Sequence, residues 1–210
     1  MRLSDISKIF AFIDVVNSLK YEMRFGGNCD SPKRDNVAAH IWRMALLSYI
    51  VAEQFVRSGE LKLDVLKVIK LALVHDLPEA LVGDTSFDKV YLGQTIKEDK
   101  SLGEHEAIRK LGAMLPEGLD DEVVELWEEY ESSNSLESKF VKIMDKLEAA
   151  HQSMVVGVKN MKTVPPMVTH SNKGYGWVPE LDILIEYVRK ELREHFAEHG
   201  EPWLPEYELK

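Results

Sequence analysis

Apolar positions recur at helical spacing along most of the 210-residue chain, and almost no stretch alternates as a half-buried strand would. Ser4 or Asp5 is placed to cap a first helix, with Ile6, Ile9, Phe10, Ile13, Val16 and Leu19 on its apolar side. Residues 20–34 hold two glycines and a proline and read as a loop. Asp35 stands where the next N-cap is expected. The helix after it runs to about Arg57, with Val37, His40, Ile41, Met44, Leu47, Val51 and Phe55 facing inward. Asp64 caps a third helix, apolar on most sides and therefore central. It ends near Leu77, because Pro78 disfavours the α conformation in the residue before it.

The later half continues the pattern. Residues 85–95 have little periodicity and read as a rim. Helices are expected over residues 99–115, 119–130 and 135–158, the last opened by a capping-box-like Ser135 and Ser138. Phe140, Ile143, Met144, Leu147, Ala150 and Met154 form its inner side. Residues 160–178, with Pro165, Pro166 and two glycines, read as a long loop, and Pro179 suits the first turn of a final helix reaching about Glu198. The tail from Gly200 shows no core pattern. The expectation is an all-α, single-domain bundle over residues 1–210, with its core at about 19–158 and the helix at about 179–198 packed on it.

Within this frame residues 71–84, LALVHDLPEALVGD, stand out. Adjacent residues inside a helix point about 100° apart, but at a fraying last turn His75 and Asp76 can face one ion. Glu79 and Asp84 follow as further acids. His40 lies on the apolar side of its helix, and Asp145 sits between Met144 and Leu147, where an unpaired carboxylate is costly. Two imidazoles and two carboxylates suit a divalent first-row metal such as Mn, Co, Fe, Ni or Zn, one per chain, rather than a cysteine-rich structural zinc. Taken singly, each residue has an ordinary reading: His40 as a core histidine, Asp145 as a partner of Lys142, Lys146 or Arg43, and Glu79 and Asp84 as a helix-start acid and a turn former. It is their order on successive helices that carries weight.

Composition narrows the partners. A net charge of −10 opposes a role on the nucleic-acid backbone, while a metal and a few local cations can still draw a small anion into a pocket. Cys29 is the single cysteine, so no internal disulfide forms. The start MRLSDISKIF lacks a signal-peptide pattern and no apolar run is long enough to span a bilayer, so a cytoplasmic protein without membrane partners is expected. His105, His170, His195 and His199 lie in polar surroundings and are expected at the surface. So are Lys139, Lys142 and Lys146, with Lys146 nearest a pocket rim, and the acidic run from Glu125 to Glu131. The tryptophans are expected to serve packing or interfaces.

The stretches DNVAAHIWRMALLS, LALVHDLPEALVGD and LWEEYESSNSLESKFVKIMDKLEAA resemble the HD-domain metal-dependent phosphohydrolases, and more narrowly their 5′-deoxynucleotidase branch. The resemblance spans about Leu19 to Gln152. It implies that His40, His75, Asp76 and Asp145 bind the metal, and that Glu79 assists a metal-activated water or its proton. It further implies that Asp84 acts near the sugar or leaving oxygen and that Arg24 binds the phosphate. Where relatives tend to place a Gly-Trp pair this chain has Phe25, Gly26 and Gly27, so an aromatic contact to base or sugar is either lost or supplied by Phe25. The implied reaction is release of phosphate from a nucleoside 5′-monophosphate, without a covalent enzyme intermediate, by a homodimer. The alternatives are a phosphoesterase of this fold acting on a cyclic or signalling nucleotide, and a binding module without turnover.

Overall fold

The computed structural model describes residues 1–24, 31–84, 97–157 and 164–209, save the side chains of residues 97–99 and 164–167. Its helices are α1 (Leu3–Val16), α2 (Val37–Ser58), α3 (Val65–Val74), α4 (Glu79–Val82), α5 (Lys97–Gly112), α6 (Leu119–Ser132), α7 (Leu136–Val156), α8 (Val164–Ser171) and α9 (Asp182–Glu198). Among the described residues the sole β pairing is an isolated antiparallel bridge, Met23 to Asn36. The expected rim at residues 85–95 lies outside the described residues, as do Phe25, Gly26, Gly27 and Cys29.

The main core is built where α2, α3 and α7 pack together. Met44, Phe55, Val68, Leu71, Phe140, Ile143 and Met144 fill it, and Leu181 and Ile185 at the start of the last helix close it from outside. α3 contributes Val68, Leu71, Ala72 and Val74, whereas Leu66 and Leu73 face out. Its end follows the sequence: the helix stops at Val74, four turn residues follow, and Pro78 leads into the short α4.

Local chemistry explains the helix ends. Asp64 accepts from the Lys67 amide at 3.1 Å, and Ser135 and Ser138 exchange backbone and hydroxyl bonds at 3.0 and 3.1 Å. One cap differs from expectation. Asn36, not Asp35, caps α2 by accepting from Ala39 at 2.9 Å, and Asp35 is thereby left for Arg43.

Three further expectations are corrected. α1 starts one residue before Ser4, with Asp5 accepting from the Arg2 amide, and its buried residue is Phe12. Phe12, Val15 and Val16 meet Leu111 and Leu115 of the α5 end, so Phe10 and Ile13 point to solvent. The stretch taken as a loop contains α8. Pro165 and Pro166 occupy its first turn, where a missing N–H removes no helical bond. The tail is not idle: Tyr207 is buried with Val168, Leu192 and Phe196, and Trp203 and Leu204 pack beside them. Among the described residues no helix is long and apolar enough to cross a membrane.

Candidate metal centre and active-site pocket

Three helices deliver the sequence-marked donors to one point. His40 comes from the buried face of α2, His75 caps the C-terminus of α3, and Asp145 projects from the middle of α7. One ligating atom from each lies within 4.8 Å of the others. The two Nε2 atoms are 3.3 Å apart, and Asp145 Oδ1 is 3.2 Å from that of His40. Asp76 joins through Oδ2, 3.1 Å from His75 Nε2 and 3.6 Å from His40 Nε2.

Outward contacts set the state of both rings. His75 Nδ1 lies 2.8 Å from the carbonyl of Ala72, which only accepts, so that nitrogen carries a proton and a neutral ring turns its Nε2 lone pair inward. His40 Nδ1 lies 2.5 Å from the buried carboxylate of Glu148. Two lone pairs facing each other beside two carboxylates repel, and a cation between them relieves that. The donor set of two imidazoles and two carboxylates therefore fits a divalent metal ion. Burial and Arg24 pull the His40 pKa down, but hydrogen bonds to Asp145 and Glu148 outweigh them and raise it to about 9. Burial opposes ionisation of Asp76 and Asp145, yet the adjacent imidazoles and Arg24 hold both carboxyls below their usual range.

The donors open onto a pocket of about 450 Å³. Arg24, Glu79 and Asp84 line it, so it gathers the remaining sequence-marked residues as well. Arg24 is placed by its own amide, which donates to the Asp35 carbonyl at 3.1 Å, and its guanidinium reaches Asp76 at 3.4 Å. Asp84 is anchored by its amide, which donates to Glu22 at 2.9 Å. Glu79 is buried, and among the described residues its Oε2 has no hydrogen-bond partner. Burial first, then the charges of Asp76 and Asp84, push its carboxyl well above the usual range.

Several residues in and around the site were given no site role from the sequence. Glu148 and Arg43 lie three residues beyond Asp145 and His40 on the same helices, and that spacing was the available signal. Arg43 grips Glu148 and reaches Asp35 at 2.8 Å, so the ring of His40 is braced by a partly buried chain of charges. Tyr130 donates to Asp145 at 3.2 Å, and Trp127 donates to the carbonyl of His75 at 3.1 Å. Lys142 and His170, expected at the surface, line the pocket, as do Glu131 from the acidic run and Lys146, which was expected nearest a pocket rim. Burial lowers the Lys146 pKa to about 8, and burial with Lys146 nearby lowers that of His170 to about 3. His151 is exposed and stands apart from the donors, as its spacing implies.

An all-α scaffold whose helices converge on a possible metal site is the class that fold and site define. The chain belongs to the HD domain family, which it matches over residues 16–173. It is 35% identical over 149 residues to a Bos taurus protein named 5′-deoxynucleotidase HDDC2, a match covering 69% of this chain and 66% of that protein. The chain thus spans about two thirds of the length of that relative. A Danio rerio protein of the same name is 30% identical over 201 residues, covering 93% of this chain and 94% of that one. Among solved structures, an HD-domain phosphohydrolase from Listeria innocua shares the fold at a TM-score of 0.67, with 20% identity and 91% of each chain covered.

Proposed function

We propose that the protein is a metal-dependent phosphohydrolase that removes phosphate from (deoxy)nucleoside 5′-monophosphates. The observation that carries this is the meeting of His40, His75 and Asp145 within 4.8 Å, beside Asp76 and at the floor of a pocket holding Arg24 and Glu79. Membership of the HD domain family and the names of the bovine and zebrafish relatives support it.

In this reading His40, His75, Asp76 and Asp145 hold one divalent ion, of the Mn, Co, Fe, Ni or Zn group. Such an ion makes water more acidic and offsets charge on a phosphoryl oxygen. Arg24 binds two phosphate oxygens as a planar fork and fixes the ester in the pocket. Glu79 takes the proton from the attacking water. Its elevated pKa suits it to hold that proton near neutral pH, and its unpartnered Oε2 supports this role. Asp84, which lines the same pocket, acts near the sugar or leaving oxygen in this reading. A binding module has no need of a buried, unpartnered acid at this position, which favours turnover.

A homodimer is part of the proposal. Trp42, Leu46, Tyr49 and Ile50 form an exposed apolar stripe on α2, and Ile183 and Tyr187 are exposed at the start of α9. A single domain acting in the cytoplasm completes it. The decisive experiment screens phosphate release from nucleoside 5′-monophosphates in the presence of Mn, Co, Ni, Mg or Zn. Release with at least one of these ions is expected, and none from any pair would reject the function.

A further inference from the structure

We propose that Lys146, backed by Lys142, forms a second anion seat that takes phosphoryl oxygens of the substrate from a different wall of the pocket than Arg24. This rests on reading the pocket as the site of a phosphoester hydrolase.

Lys146 is only 7% exposed, and a buried ammonium is costly unless compensated. Its Nζ donates to the Lys142 carbonyl at 3.1 Å and lies 5.4 Å from the centre of the Trp177 ring. An ammonium has three N–H donors, and this carbonyl uses one. Among the described residues no carboxylate pairs with Lys146. Asp145 is its neighbour in sequence, but the two carboxylate oxygens are engaged by His40 and Tyr130, each at 3.2 Å. The charge therefore stands buried at the pocket wall with no carboxylate in direct contact among the described residues, and Asp145 and Glu131 act on it only at longer range.

Lys142 lies one turn earlier on α7, on the same face. It bonds to the Glu131 carbonyl at 2.9 Å, lies 3.7 Å from Glu131 Oε1 and sits over the Tyr130 ring at 4.8 Å. Two like charges one turn apart repel, and an anion between them reverses the sign of the interaction. Lys142 and Lys146 both line the pocket that holds Arg24 and Asp145.

The charge around the metal centre points the same way. Asp76, Glu79, Asp84 and Asp145 outnumber the cations beside them, Arg24 and Lys100. Even with a divalent ion bound, no excess positive charge remains there to meet a dianionic phosphate. Lys146 supplies it, with Lys142, partly offset by Glu131, behind it. Their use is to bind the anion, and they take no part in breaking the ester bond.

The test is calorimetric titration of the metal-loaded, full-length protein with inorganic phosphate, alongside KM for a nucleoside 5′-monophosphate. Lys146→Met is expected to weaken phosphate binding about 10- to 100-fold and raise KM by a similar factor. Metal content, and binding of the uncharged deoxynucleoside, should stay at the wild-type level, and Lys146→Arg should restore most of the loss. Phosphate binding within twofold of wild type in metal-loaded Lys146→Met overturns the seat. Should Lys146→Met fail to fold or load metal, Lys142→Met decides, with a weakening of about 3-fold or more expected and no change overturning it. If wild-type protein hydrolyses no nucleotide, the proposed function fails, while the phosphate titration still decides the seat.

Discussion

Glu148 Oε2 lies 2.5 Å from Nδ1 of His40, and Arg43 engages the other oxygen of the same carboxylate. The pair fixes which imidazole nitrogen faces the metal centre. Glu148→Gln removes the charge and keeps the shape. It should lower metal affinity about 10- to 100-fold, measured by competition with a chelator, with helical content unchanged. An unchanged affinity would assign Glu148 to stability alone.

Asp145 is the donor that α7 contributes. Asp145→Ala should abolish both metal uptake and phosphate release, since the remaining imidazoles and Asp76 lose the carboxylate opposite them. Elemental analysis of the purified variant checks it, and full metal occupancy would contradict a ligand role.

Glu79 is expected to act on the proton and not on the ion. Glu79→Gln should retain metal and lose about 100-fold or more in kcat. Wild-type kinetics at full metal occupancy would remove Glu79 from the mechanism.

His170 makes a pH prediction. The unfolded chain takes up a proton at this residue near pH 6.5, whereas the buried ring beside Lys146 resists protonation down to about 3. Above pH 6.5 both states are neutral there. As pH falls through that value the unfolded state binds more protons, so stability is lost, by about 2 kcal/mol at pH 5. Denaturant titrations at pH 7.5 and pH 5 should show His170→Gln losing less stability on acidification than wild type does. Equal losses would show that the ring is not shielded.

Tyr207 ties the tail to the body, edge-on to both Phe196 and Trp203. Tyr207→Ala should cost about 3 kcal/mol, read from the shift in unfolding midpoint. A change below about 0.5 kcal/mol would mean that the tail does not dock in solution.

The pattern of residues determined much of this. Long amphipathic segments with a capping side chain announce themselves, because burial of one face and satisfaction of the first free amides are both local demands. α2, α3 and α7 are of that kind, and the caps at Asp64 and Ser135 fall where expected. The donors were legible for a related reason. A histidine or carboxylate on an otherwise apolar face needs a partner, and His40 and Asp145 stood out as such.

Tertiary structure decided what depends on partners distant in sequence. Whether Phe10 or Phe12 faces inward is set by where Leu111 and Leu115 arrive, and one turn of sequence holds apolar residues for either answer. α8 is too short to show a period, and the tail buries Tyr207 only because Phe196 and Leu192 wait for it. His170 looks like a surface residue among polar neighbours, and Lys146 like a rim residue at most. They become pocket residues because α7 and α8 bring them to the wall of the pocket that holds the candidate metal ligands, and no local rule carries that information.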